Sequence, residues 1–388
     1  MRGASKRYAP SYATSVLKTT DVVCDDWRPE EWMTASYDLS VIIPTYQGRA
    51  CVERALQALA QQTLPPTAYE VIISIDGSDD GTRELVAQFL APYRLLGLWQ
   101  PNQGRAAARN AGIHAASGEL LVFLDDDMEP TSKLLEAHLQ AHATASHLAV
   151  IGAVPICNDP ALPPVSAYIA TKFNQHLLRL AQPGYPFKLR DFYSGNFSIR
   201  RNVLLDVGLF DEVFKLYGNE DLELSLRLAR AGVRIVYSSE ALAHQHNTKD
   251  FAGHACDNIA KGRTAVLLVS MHPGAFYDLK LSAYEHGSRR WRLLRAAMLG
   301  ASRFWSRTHT SVIGFIHWLE QRRPAQLNLF YTLALDYCYW LGVQTALREN
   351  RRAGRWPASL ADLRNALSDF SIAAQDNGKS SQDVFAKV

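Results

Sequence analysis

Short β-branched runs alternate with helical patterns from Leu39 to Leu124, and this alternation restricts what the chain can fold into more than any other feature. Strands are predicted at Ser40–Ile43, Glu70–Ile75, Leu95–Trp99 and Leu120–Leu124. Between them "RACVERALQALAQQ", "TRELVAQFLAPY" and "AAARNAGIHAAS" place apolar residues at helical spacing, the last closed by Gly118. Strand and helix in strict succession predict an α/β fold, a Rossmann-like, mostly parallel sheet flanked by helices. Such sheets bind ligands at the carboxyl ends of their strands. Pro44-Thr45, Asp76-Gly77 and Asp125 to Asp127 all fall at such ends, so three separated segments are expected to meet on one rim.

The chain has 388 residues and 47% apolar content, enough for one catalytic-sized domain with an extension. A net charge of +3 gives no support to nucleic-acid binding. Five cysteines, odd in number and without CxxC spacing, indicate neither a zinc site nor a disulfide framework and suit a reducing, cytoplasmic compartment. Residues 1–37 contain no signal-peptide-like apolar core and are expected to form a flexible leader. Leu327 to Leu347 approaches membrane-spanning length, but Asp336 near its centre favours a buried or interfacial helix.

The chemistry-bearing residues cluster in five stretches. In "ISIDGSDDGT", Asp76 at a strand end can accept hydrogen bonds from a nucleobase or ribose; the same residues also make turns and helix caps, and both readings stand. In "NQGRAAARNAG", Arg105 and Arg109 lie i,i+4 behind Gly104, an anion clamp or a solvated basic face. "FLDDDMEP" is sharper, because three adjacent carboxylates repel unless a cation or solvent relieves them. Hard divalent cations such as Mn²⁺ or Mg²⁺ take carboxylate oxygens and leave positions for substrate phosphates. On that reading Asp127 suits the metal, Asp126 the ribose, and Asp125 a supporting contact. In "YGNEDLELSLRLARAG", Asn219 is a helix N-cap candidate with Glu220 and Asp221 in the first turn, where the helix dipole should keep a carboxylate ionised as a general base requires. In "ALAHQHN", His244 and His246 project to one side of an extended segment and are each a candidate metal ligand.

Taken in order, "SVIIPTY", "SIDGSDDGT", "NQGRAAARNAG", "FLDDDMEP", "SGNFSIRR", "GLFDE", "GNEDLELSLRLARAG" and "HQH" resemble glycosyltransferase family 2, the inverting nucleotide-sugar enzymes of GT-A fold. The resemblance covers Ser40 to His246. It implies that Pro44 and Thr45 line a nucleotide pocket, that Asp76 meets the base, and that Arg109 lies near the nucleotide. It further implies Asp126 at the ribose, and Asp127 with Asp125 and a histidine, His244 or His246, at the metal. Asp221 would be the catalytic base with Glu220 beside it, and Gly195-Asn196 would lie under the donor sugar. A nucleotide-sugar, most simply a UDP-sugar, is the implied donor, with a glycan, lipid-linked or small-molecule acceptor and Mn²⁺ or Mg²⁺ as cofactor. One departure is plain: the family's "VDDGS" reads "SIDGS" here, so Ile75 replaces an expected acid. No QxxRW run or set of membrane spans points to a processive synthase.

The expected division is a leader over 1–37, the GT-A domain over 38–255 and a helical C-terminal region over 256–388. In that last region Trp291, Leu294, Met298, Ala301 and Trp305 share one helical face, with Arg292, Arg295, Arg303 and Arg307 largely opposite. Such a helix either packs on its own protein or lies on an anionic membrane at the cytoplasmic face. Two rival functions compete with glycosyl transfer. A sugar-phosphate nucleotidyltransferase would want a glycine-rich basic loop where "PTYQGRA" stands, and a non-catalytic scaffold would not need both acidic clusters.

Overall fold

A computed structural model describes residues 37–157, 159, 161–284, 288–304 and 307–363. Residues 1–36 of the expected leader, Cys24 among them, and Trp305 lie outside the described residues, while Tyr37 is buried. The strands are β1 (Leu39–Thr45), β2 (Tyr69–Asp76), β3 (Arg94–Gln100), β4 (Leu120–Leu124), β5 (Met128–Pro130), β6 (Leu148–Ala153), β7 (Asn196–Arg200) and β8 (Arg234–Gln245). The helices between and after them are α1 (Arg49–Leu59), α2 (Thr82–Gln88), α3 (Arg105–Ala115), α4 (Leu134–His142), α5 (Pro164–Leu180), α6 (Arg201–Val207) and α7 (Glu220–Arg230). Then follow α8 (Phe251–Met271), α9 (Arg289–Phe304), α10 (Thr308–Arg322) and α11 (Leu327–Arg352).

All the strands join one sheet in the order β3-β2-β1-β4-β7-β6-β8-β5. The first four strands are parallel, as the alternation predicts, because each crossover runs through a helix. Beyond β4 the sheet is mixed: β7 runs antiparallel to both β4 and β6, β6 pairs parallel with β8, and β5 closes the edge antiparallel to β8. The register Thr45↔Ile75 and Asp76↔Gln100 brings the ends of β1, β2 and β3 level on one side of the sheet. β1, β2 and β4 are buried on both faces, which is why they read as unbroken apolar runs. α3 lies tight against two of them: a Cβ on Gly112 would stand 2.5 Å from Ile42 Cγ2. α2 stops earlier than its sequence pattern: Phe89 already turns extended, three residues ahead of Pro92.

The helical C-terminal region does not stand apart. Its core of Tyr331, Tyr337 and Trp340 is continuous with Val165, Tyr168 and Phe214 from the sheet-bearing part. The boundary expected between residues 255 and 256 falls inside α8. Asp336, the acid that argues against membrane insertion, is partly buried in this region and held by Lys280 Nζ at 2.8 Å, Arg295 Nη1 at 3.0 Å and Trp291 Nε1 at 3.0 Å. Arg295, expected on the polar face of α9, is therefore buried, whereas Leu294 of the expected apolar stripe is half exposed. Among the described residues no helix is long and apolar enough to cross a membrane.

Candidate functional site

A cavity of about 610 Å³ opens at the carboxyl ends of the parallel strands, and both acidic clusters line it: Asp125 to Asp127 from the β4–β5 turn and Glu220-Asp221 from the start of α7. The turn is pinned by Met128 N donating to Asp125 O at 3.2 Å and His246 N donating to Asp127 O at 2.9 Å. Gly195 also lines the cavity, and its carbonyl accepts from Asp125 N at 3.0 Å. A Cβ at Gly195 would meet Asp125 Oδ2 at 3.0 Å, so the glycine allows the acid to sit this close to the chain.

The three aspartates have three environments. Asp125 is ion-paired to Arg109 Nη2 at 2.9 Å and Arg105 Nη1 at 3.5 Å. Burial works to raise its carboxyl, but the two guanidiniums overcome that and hold it below the ordinary aspartate range. Asp126 accepts from Thr45 Oγ1 at 2.6 Å, and burial, with Asp127 and Asp125 nearby, pushes it up to about 7. Asp127 is likewise raised by burial and then by Asp125. Its Oδ2 accepts from Gln245 Nε2 at 3.0 Å, while its Oδ1 is buried without a partner.

Arg109 is placed differently from the expectation that it lies near a nucleotide. It is 1% exposed and does not line the cavity. Its Nη1 reaches Glu220 Oε1 at 3.0 Å and its Nη2 reaches Asp125, so it ties the two acidic clusters together from behind. Arg105, the other arginine of the i,i+4 pair, is the one that lines the cavity. Asp76 is also turned inward. Its oxygens accept from Gln100 Nε2 at 2.7 Å, Gln103 N at 2.8 Å and Gly104 N at 2.9 Å, which fixes the loop leading into α3. Asn196 is fully buried, with its amide on Ala241 O and Ala153 O and its carbonyl on His138, so it braces the sheet and only its neighbour Gly195 reaches the cavity. Pro44 lies within β1.

The expected metal set of Asp127, Asp125 and a histidine is not brought together. Along β8 the side chains alternate, and Gln245 is the residue that faces the cavity. His246 Nε2 meets Glu129 Oε2 at 2.5 Å, and neither it nor His244 lines the cavity. Among the described residues no group of three or more His, Cys, Asp or Glu side chains is arranged to hold a metal ion. What fits a cation is the chemistry of Asp127 alone: a buried carboxylate with one oxygen unpartnered and a charge its surroundings disfavour. A divalent ion that keeps waters and takes phosphate oxygens needs only one or two such carboxylates.

The acids of α7 also differ from expectation. Asn219 occupies the N-cap position, but its backbone is left-handed (φ 70°) and its side chain does not cap the helix. It donates instead to Thr264 Oγ1 at 2.7 Å and Lys261 O at 3.1 Å, tying α7 to α8. The helix terminus does not keep Asp221 fully ionised: burial, and then the Glu220 charge, raise its carboxyl to about 7 despite Arg109. Glu220 Oε2 is buried and unpartnered beside it. Opposite, Tyr217 is approached by three cations, Arg105 Cζ at 4.9 Å and Lys249 and Lys261 Nζ at 5.0 Å each from the ring centroid. Sequence reasoning missed Tyr217, Lys249 and Lys261, since no pattern joins residues on three separate elements. Gln245 was within reach, because the period of two that aligns the histidines puts the residue between them on the other face.

Residues 40–208 match the family described as glycosyl transferase family 2. Among curated relatives, a validoxylamine A glucosyltransferase from Streptomyces hygroscopicus subsp. limoneus is 33% identical over 227 residues, 52% of this chain and 50% of the relative. A pre-mycofactocin glycosyltransferase from Mycobacterium tuberculosis (strain CDC 1551 / Oshkosh) is 32% identical over 253 residues, 63% of this chain and 50% of the relative. The chain spans about half the length of these two relatives. Among solved structures, the mannosyltransferase PcManGT from Pyrobaculum calidifontis, in complex with GDP-Man and Mn²⁺, aligns at a TM-score of 0.52 and 21% identity, over 79% of this chain and 88% of that one. At that identity the likeness is one of fold, the GT-A arrangement of a sheet flanked by helices.

Proposed function

From the premise that residues 40–208 belong to glycosyl transferase family 2, we propose that this protein moves a sugar from a nucleotide-sugar, a UDP-sugar first among donors, to an acceptor hydroxyl by a single inverting displacement. One observation carries the reading: Asp127 and Asp221 line the same cavity, so a donor held at the first can be attacked by an alcohol activated at the second. Asp221, with its carboxyl near 7, is poised to take the proton of the attacking hydroxyl at neutral pH. Glu220 is held by Arg109 Nη1 at 3.0 Å next to that base. Arg105, Lys249 and Lys261 around Tyr217 set positive charge beside the cavity, where a departing diphosphate gains it. The ribose is assigned to Asp126, which accepts from Thr45 Oγ1. Asp127 Oδ1 is the atom to hold Mn²⁺ or Mg²⁺; when bound, such an ion supplies charge neutralisation at the diphosphate. Arg109 touches neither donor nor acceptor in this scheme and is a positioning residue.

The test is nucleoside diphosphate release from a panel of UDP-, GDP- and dTDP-sugars, with and without manganese, scored for the anomeric configuration of the product. Manganese-dependent release with inversion is expected. Release of pyrophosphate from a nucleoside triphosphate and a sugar phosphate would instead mark a nucleotidyltransferase, and no turnover with any donor a scaffold.

A further inference from the structure

A second cavity, of about 520 Å³, lies in the helical C-terminal region between α9, α11 and the segment after α11, and it shares no lining residue with the first. Its floor is apolar, built from Leu299, Val343 and Leu347 with the rings of Tyr284 and Trp340. Four arginines line it, Arg303, Arg348, Arg351 and Arg352, and among the described residues no acidic side chain does. Arg351 has a partner, donating to Ala358 O at 3.2 Å. Arg348 Nη2, Trp340 Nε1 and Gln344 Oε1 are each buried with no hydrogen-bond partner, and all three residues line this one cavity.

Three other arginines are met by acids: Arg109 by two, Arg295 by Asp336, Arg94 by Glu70. Here like charges converge, and burial together with Arg303 and Arg352 pushes the Arg348 guanidinium below its ordinary range. A planar guanidinium matches a phosphate group, to which it donates two parallel hydrogen bonds, and the indole N–H adds another donor. An inorganic ion uses only the cationic rim and leaves the apolar floor wet. A volume of about 520 Å³ is within the range of small-molecule sites, so the pocket has room for the body of a ligand as well as its charge. We propose that this cavity is a binding site for a phosphate group carried on an apolar chain, with Arg303, Arg348 and Arg352 on the phosphate and the Leu299, Val343 and Leu347 floor on the chain.

The test is calorimetric titration of the full chain with n-octyl phosphate below its micelle concentration, with inorganic phosphate and with octanol as the two half-ligands. Octyl phosphate should bind at least about tenfold more tightly than either half, since both contact types are needed. Arg303 and Arg352 are solvent-exposed at their rims, so the double variant Arg303→Gln, Arg352→Gln should keep the wild-type melting temperature and weaken octyl phosphate binding about tenfold or more, the scale of charged hydrogen bonds. Arg348→Gln should do the same. Asp127→Ala should bind octyl phosphate as the wild type does, because the aspartate cavity is not involved. Flotation with phosphatidylglycerol and phosphatidylcholine vesicles separates the sources. Capture by the anionic vesicles alone, lost in the double variant, identifies a bilayer headgroup; octyl phosphate binding without capture identifies a dispersed phosphorylated amphiphile. Equal affinity for inorganic phosphate, wild-type binding by the arginine variants, or loss of binding in Asp127→Ala would each overturn the proposal.

Discussion

Asp221 loses its proton near pH 7 because it is buried beside Glu220, and that single property ties activity to stability. As a base it works deprotonated, so kcat/KM should rise through a limb near pH 7 and level off above it. Asp221→Asn should keep donor binding and lower turnover by about 10²- to 10⁴-fold; an unchanged rate removes Asp221 from the reaction. The folded-state value lies above that of an unfolded aspartate, so the folding advantage is whole below about pH 4 and is lost as pH rises toward 7. Asparagine removes that loss, and the variant should melt higher than wild type at pH 8, with the gap shrinking toward pH 5. At the other acid, Asp127→Ala should abolish manganese-dependent donor binding, checked by titrating donor with and without the ion; retained dependence would discredit Asp127 as ligand. The presence of these acids was legible in the sequence, since three carboxylates in a row ask for a partner and two more fall at a helix start, where the dipole favours negative charge. Their roles were less so. Arg109 and Asp76 carry bracing contacts that the sequence does not show, because spacing along a chain gives the neighbours on one helix or strand and says nothing about what arrives from residue 220 or residue 104.

Arg109 also shows what joins the elements, for it links α3, the end of β4 and the start of α7 through two buried ion pairs. Arg109→Gln leaves Asp125 and Glu220 without their shared cation and should cost about 3–5 kcal/mol in urea unfolding, the price of stranding buried charge; a loss under about 1 kcal/mol would mean the two acids find other partners. The C-terminal helices are joined by shape instead. α8 and α11 cross so closely that a Cβ at Gly262 would stand 2.0 Å from Tyr339 O, and one at Gly342 2.0 Å from Ile259 O. Gly342→Ala has no flexible side chain to push aside, only backbone, so it should destabilise by about 1–3 kcal/mol or more, read as a lower melting temperature. Periodicity made the first four strands and their helices legible, since each buried element carries its own pattern. The antiparallel β7 and the edge strand β5 were not drawn, because a three-residue strand such as Met128–Pro130 has no period to read and exists only by pairing with β8.

Over the whole molecule, the change of composition after residue 255 suggested a detachable helical region, and the packing argues against cutting there. α8 supplies Asp257, Asn258 and Lys261 to the wall of the aspartate cavity, and Leu335 of α11 reaches the same wall. Tyr168 of α5 sets its ring 5.3 Å from Tyr331 and hydrogen-bonds Thr332 at 2.8 Å, so the sheet-bearing part and the last helix share side-chain contacts as well as a common core. Removing residues 281–388 would expose the buried face of α8 and the Val165, Tyr168 and Phe214 surface to water, at roughly 25 cal/mol for each Å² of apolar area uncovered. Against a total stability of only about 5–15 kcal/mol for a domain, a loss of several large side chains' burial is decisive. The truncated chain should therefore fail to unfold cooperatively, bind a hydrophobic dye and lose donor binding together with its native near-ultraviolet circular dichroism. Full donor affinity in a monomeric, cooperatively melting 1–280 chain would show that the helices are an appendage, and that the cavity wall they supply is dispensable.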